Sequence, residues 1–214
     1  MFFERSRYTP LSISPGTISA HDCLQPKLFH LLDSAAHHIH SLQLRCLGLS
    51  LDTSISCTWD ITLLGALDLL LDPPSASAGF AFLTGTALPN LKRLSLRSVH
   101  KNLFTLLIRS TLTQLVIDII YERPTSMEWA DLLEQLPLLE HLILKDAVNL
   151  SELFGHCRTP PPPKKISMSH LSSIKLSDTF QFMRLLEYLI LSTLQTLTVS
   201  LDDIRHRHTD GGRP

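Results

Sequence analysis

One pattern constrains this chain more than any other. A triplet spaced L-x-x-L-x-L, with Ile or Val allowed, recurs seven times. The instances are Ile39-Leu42-Leu44, Leu64-Leu67-Leu69, Leu91-Leu94-Leu96, Leu112-Leu115-Ile117, Leu139-Leu142-Leu144, Leu171-Ile174-Leu176 and Leu194-Leu197-Val199. Their first positions lie 25, 27, 21, 27, 32 and 23 residues apart. The x-Leu-x-Leu half alternates with period two, as a strand with one buried face requires. Arg93-Leu94-Ser95-Leu96-Arg97 and Gln114-Leu115-Val116-Ile117-Asp118 are examples. Pro89 stands just before Leu91 and Pro137 just before Leu139, where proline separates helix from strand. The chain holds 44 leucines in 214 residues, so chance triplets inside helices compete with the repeat. The Leu64 instance is the weakest for that reason, since Ile61 to Leu71 has an alternative reading as a buried helix.

Amphipathic helices are expected between the strands. Trp129, Leu132, Leu133 and Leu136 lie at i, i+3, i+4 and i+7 within Met127 to Leu136, with Ser126 as the expected cap. Thr179 to Leu191 repeats the spacing through Phe182, Leu185, Leu186 and Leu189. Lys27 to His40 is a third such segment, through Leu28, Leu31, Leu32 and Ala35. Strand, loop and helix at about 20–29 residues make a leucine-rich-repeat unit. One unit cannot bury its own apolar face, so units must stack. The expected fold is therefore an α/β leucine-rich-repeat solenoid, with a parallel β-sheet on the concave face and helices and loops on the convex face. About seven or eight strands are expected, Thr9 to Ser14 supplying an extra first one. The array is a single unit over residues 1–204, with insertion loops at 72–87 and 155–168 and a polar tail at 205–214.

Composition removes other classes. The formal net charge is −1, so phosphate attraction does not dominate and nucleic acid is not an expected partner. Cys23, Cys46, Cys57 and Cys157 form no C-x-x-C pair, and buried reduced thiols are expected. No apolar stretch follows the charges of the first seven residues, so no secretory signal is expected. A membrane span needs about 20 apolar residues, and the most apolar run, Ile61 to Leu71, contains Asp68. The expected location is cytoplasmic or nuclear. Motifs for phosphate-binding loops, zinc hydrolases, nucleophile elbows and dinucleotide folds are missing, so neither an enzyme nor a cofactor is expected. His37, His38 and His40 straddle a helix end and a strand start and need not converge on a metal. The runs Thr159 to Lys165 and Arg205 to His208 read as an insertion loop and a solvated tail.

In such a repeat the residues between the strand leucines face the concave side. They carry five fixed positive charges, Arg45, Arg93, Arg97, Lys145 and Lys175, against two negative, Asp68 and Asp118. The expected partner-binding residues are Arg93, Arg97, Asp118, His141, Lys145 and Lys175. The expected occupant is an acidic or phosphorylated protein segment.

Four stretches in order suggest a family. They are Glu4-Arg5-Ser6 with Thr9 to Ser14, then His38 to Leu44, Leu88 to Leu96 and Leu136 to Leu144. Together they resemble the leucine-rich-repeat part of fungal F-box-like proteins, over residues 4 to about 200. The resemblance implies a non-catalytic protein–protein interaction module, such as the substrate-recognition repeats of a ubiquitin ligase. No F-box precedes Phe2, so a Skp-type adaptor is not expected. The alternative is a leucine-rich-repeat scaffold or truncated remnant with no ubiquitin-ligase role. The chain also departs from the repeat's asparagine position, which holds Leu47, Asp72, Val99, Ile120, Ala147, Thr179 and Asp202.

Overall fold

The structure, a computed structural model, describes residues 11–14, 17–19, 34–47, 61–71, 88–148, 164–177 and 182–200. The insertion loop at 72–87, the polar tail and residues 155–163 of the insertion loop expected at 155–168 lie outside the described residues, while the end of that second loop is a strand at Ile166–Ser167, with Ile166 and Met168 buried in the core. So do Leu28, Leu31 and Leu32.

Each L-x-x-L-x-L triplet builds the same local structure. The first residue closes a tight turn by donating its backbone N–H to a carbonyl three residues back. Leu64 bonds Ile61 at 2.9 Å, Leu91 bonds Leu88 at 3.2 Å and Leu112 bonds Arg109 at 3.1 Å. Leu139 bonds Leu136 at 3.1 Å, Leu171 bonds Met168 at 3.3 Å, and Ile39 bonds Ala36. A strand follows at once. These strands are β3 (Ile39–Leu47), β4 (Ala66–Leu71), β5 (Arg93–His100), β6 (Gln114–Tyr121), β7 (His141–Lys145), β9 (Ser173–Ser177) and β11 (Thr196–Ser200). Ahead of them come β1 (Leu11–Ile13) and β2 (Thr17–Ser19), both paired with β3.

The protein is α/β. Its main sheet runs β1-β3-β4-β5-β6-β7-β9-β11, with β2 beside β3, and its pairings are parallel. The register aligns the repeats residue for residue. Leu42, Leu67, Leu94, Leu115, Leu142, Ile174 and Leu197 form one row across seven strands. Leu44, Leu69, Leu96, Ile117, Leu144, Leu176 and Val199 form the next. Both rows point into the core as far as β9. Parallel strands need long crossovers, and among the described residues three of these carry helices: α1 (Lys101–Leu107), α2 (Ser126–Glu134) and α3 (Phe182–Tyr188). Leu103, Phe104 and Leu107 of α1 and Trp129, Ala130 and Leu133 of α2 join the strand leucines in one core. The Phe104 and Trp129 rings lie 5.1 Å apart.

Several expectations change. The cap of α2 is Thr125, not Ser126. Thr125 accepts from Glu128 N at 3.2 Å, and Glu128 Oε2 accepts from Thr125 N at 2.9 Å, a reciprocal capping box. Lys101 donates to the other Glu128 oxygen. That contact and the Thr125 backbone bond hold the Glu128 carboxyl below its ordinary 4.5. The third helix ends at Tyr188, earlier than its apolar spacing predicts. Leu189–Ile190 instead form strand β10, which pairs with β8 (Ile166–Ser167) in a second, two-stranded sheet. Extended pairing gives both segments backbone partners that a longer helix would deny β8. The segment before β3 contains a 3₁₀ turn, Ala36–His38, with the strand starting at Ile39. Of the two readings of Ile61 to Leu71, the repeat's turn and strand is the one formed.

The missing asparagines have a structural counterpart. Val99, Ile120 and Ala147 are fully buried at that position. Each follows a left-handed residue, Ser98 (φ 56), Ile119 (φ 66) or Asp146 (φ 48). That backbone twist interrupts the alternation and brings an apolar side chain inward. Trp129 Nε1 donates to Ala147 O at 2.8 Å, so an indole from α2 satisfies a loop carbonyl here.

Candidate functional site

The open face of the sheet holds three rows of side chains, read directly from the register. The first is Ser41, Ala66, Arg93, Gln114, His141, Ser173 and Thr196; the second is Gln43, Asp68, Ser95, Val116, Ile143, Lys175 and Thr198. The third is Arg45, Leu70, Arg97, Asp118, Lys145, Ser177 and Ser200. Every sequence-predicted site residue lies on this face. One outward position differs from expectation: Ser177 is buried.

The face divides into two regions. Over β3 to β5 it is a hydrogen-bonded polar chain. Ser14 Oγ donates to Gln43 Oε1 at 2.6 Å, and Gln43 Nε2 donates to Asp68 Oδ2 at 3.0 Å. Ser95 Oγ donates to Asp68 Oδ1 at 2.9 Å. Asp68 thus uses both oxygens within the sheet. Small Ala66 leaves a shallow depression of about 290 Å³ beside this chain, bordered by Arg93 and Gln114.

Over β6 and β7 the middle row turns apolar. Half-buried Val116 and Ile143 are registered side by side. Arg93, Arg97, His141, Lys145 and Lys175, all exposed, surround them on three rows. Neighbouring strands are about 4.8 Å apart and alternate residues about 7 Å, so the cations ring one apolar spot. Lys145 lies 3.6 Å from Asp118 Oδ1, a half-exposed pair worth under about 1 kcal/mol. Among the described residues, Arg93, Arg97 and Lys175 make no ion pair. Sequence reasoning found the charges but passed over Val116 and Ile143. Both are outward positions occupied by β-branched apolar residues, and that was the available signal.

The remaining ionic contacts are structural. Asp146, buried at its left-handed position, pairs with Arg123. The His37 and His38 rings lie 4.1 Å apart, tilted by 44°, and no three His, Cys, Asp or Glu among the described residues are grouped to hold a metal. No helix among the described residues is long and apolar enough to cross a membrane. Comparison with known proteins returns no matching family model, no matching curated protein and no matching solved structure.

Proposed function

We propose that the chain is a leucine-rich-repeat solenoid acting as a non-catalytic protein-binding module, with the open sheet face as its concave recognition surface. Its partner is a protein segment carrying acidic or phosphorylated side chains around one apolar residue. One observation carries this reading: five exposed basic or titratable side chains from β5, β6-adjacent β7 and β9 surround Val116 and Ile143, and three of the cations have no ionic partner among the described residues. Charge-assisted hydrogen bonds from Arg and Lys to carboxylate or phosphate are the strong ones. An apolar centre with a polar rim is how such surfaces divide affinity from orientation. The resemblance to fungal F-box-like repeats supports substrate recognition for a ubiquitin ligase as the setting of this module. A repeat scaffold without that role uses the same face.

A peptide library with one position fixed as glutamate, phosphoserine or alanine tests the reading. Acidic pools should bind best, weaken with added salt, and lose at least tenfold affinity in the Arg93→Glu/Arg97→Glu variant. Binding that ignores the acidic position, or survives both charge reversals, overturns it.

A further inference from the structure

We propose that the depression over Ala66 is a subsite for a side-chain carboxamide, that of an asparagine or glutamine in the segment bound to the sheet face. The proposal rests on that face being the recognition surface and adds a second anchoring position on the β4 side of the apolar spot. The depression, about 290 Å³, is bordered by Ser41, Asp68, Arg93, Ser95 and Gln114. It exists because Ala66 is small, in a first row that holds Ser41 and Arg93 on the adjacent strands.

One wall is a fixed carboxylate. Asp68 accepts from Gln43 on one oxygen and from Ser95 on the other, and Ser14 holds the Gln43 amide in turn. These donors are neutral, so they orient the carboxylate and leave its charge in place. A carboxylate has about four acceptor positions, so each oxygen keeps room for a further donor. The wall is set before any ligand arrives, which removes part of the ordering cost of binding.

The other wall is cationic. Register places Arg93 beside Ala66, one strand across and two residues back from Asp68, about 8 Å between Cα atoms. Gln114 adds a neutral donor beyond it. Arg45 and Arg97 stand on the third row, on the far side of Asp68 from the depression. A group seated over Ala66 therefore meets opposite charges on its two sides. An ammonium would gain Asp68 but stand against Arg93. A carboxylate would gain Arg93 but stand against Asp68. An aliphatic group would strip water from both and return no hydrogen bond. A carboxamide carries donors and an acceptor on one plane and no charge. Its NH₂ fits the open positions of Asp68, and its oxygen accepts from Arg93 or Gln114.

Register also fixes where this residue falls in the segment. Ala66 is two strands across and one row back from Val116, roughly 12 Å. An extended chain covers that distance in about three or four residues.

The test is binding of the full chain, by fluorescence anisotropy, to peptides in which two positions vary independently. One, next to the apolar residue, is glutamate or alanine. The other, three or four residues to either side of it, is glutamine, asparagine, glutamate, lysine, leucine or alanine. Glutamine or asparagine should bind about tenfold tighter than the other four, as hydrogen bonds to charged groups allow. Ala66→Leu fills the depression and should erase that preference while the glutamate preference at the other position persists. Ser41→Leu narrows the depression from β3 and serves where Ala66→Leu does not fold. Equal affinity for all six residues, or a carboxamide preference that survives both substitutions, overturns the subsite. A flat response at the glutamate position alone overturns the acidic-segment reading instead, and the carboxamide preference still supports the subsite.

Discussion

Strands β6 and β11 carry the same pattern, Gln114-Leu115-Val116-Ile117-Asp118 against Thr196-Leu197-Thr198-Val199-Ser200. Leu115 and Ile117 are sealed, between β5 and β7 in the sheet and among side chains from α1 and α2 in the core. Leu197 and Val199 face the same way and remain half in water. Pattern fixes the direction of a side chain; neighbours decide whether that direction is an interior. Among the described residues β11 has a strand on one side only, where β6 has one on each, so half of the enclosure around Leu115 and Ile117 has no counterpart there.

The largest expected effect measures that difference directly. Leu115→Ala should cost about 2–5 kcal/mol in denaturant unfolding, the range for a fully enclosed leucine. Leu197→Ala should cost under about 1 kcal/mol at dilute concentration, because its methyl groups are already hydrated. Equal losses at the two sites would break the comparison and mean that β11 is covered in solution.

The repeat made the sheet readable before any coordinates. Seven triplets predicted seven strands, and the register sets all seven in line. The basic side chains were legible for the same reason, since period two assigns Arg93, Arg97, Lys145 and Lys175 to one face. What stayed hidden depends on contacts between units. The turn residues Ile61, Leu88, Leu136 and Met168 lie three positions ahead of four of the triplets, where an apolar residue looks like loop composition until its carbonyl closes the turn. Helix α1 follows β5 without a break, so Lys101 to Leu107 offered no punctuation to mark it. The choice of Thr125 over Ser126 as cap rests on which hydroxyl faces Glu128 three residues later.

A smaller effect concerns the capping box that sets α2, and with it Trp129, against the central strands. Glu128 is held below its ordinary 4.5 by Lys101 and the Thr125 backbone. A carboxyl depressed in the folded state contributes stability that is present above its unfolded value and is lost as pH falls through the folded one. Glu128→Gln should therefore lower the melting temperature at neutral pH, and the gap from the natural chain should close as pH falls below about 4.5. A gap independent of pH would assign the loss to side-chain packing. No comparable dependence is expected for a substitution in β11, which carries no titratable side chain.

The smallest expected effect separates the central strands from β11 by backbone alone. β5 and β6 each contain a left-handed residue two positions before their ends and β7 is followed by one, and none of the three is glycine. At Ser98 (φ 56), an L-residue costs roughly 1–2 kcal/mol in this conformation, while glycine gives back about 0.5–1 kcal/mol through its freer unfolded chain. Ser98→Gly should then stabilise the protein by about 0.5 kcal/mol, read as a shift in the denaturation midpoint at constant slope. Ile119 (φ 66) is the sterically harsher case, because a β-branched side chain is the worst suited to this region. Its half-buried side chain also packs, so Ile119→Gly mixes relief with lost burial, and Ser98 is the cleaner probe. Glycine within extended β11 has no strain to relieve and should only weaken the strand. A stabilising glycine in β11, or a destabilising one at Ser98, would mean that the left-handed turn is not what brings Val99 into the core.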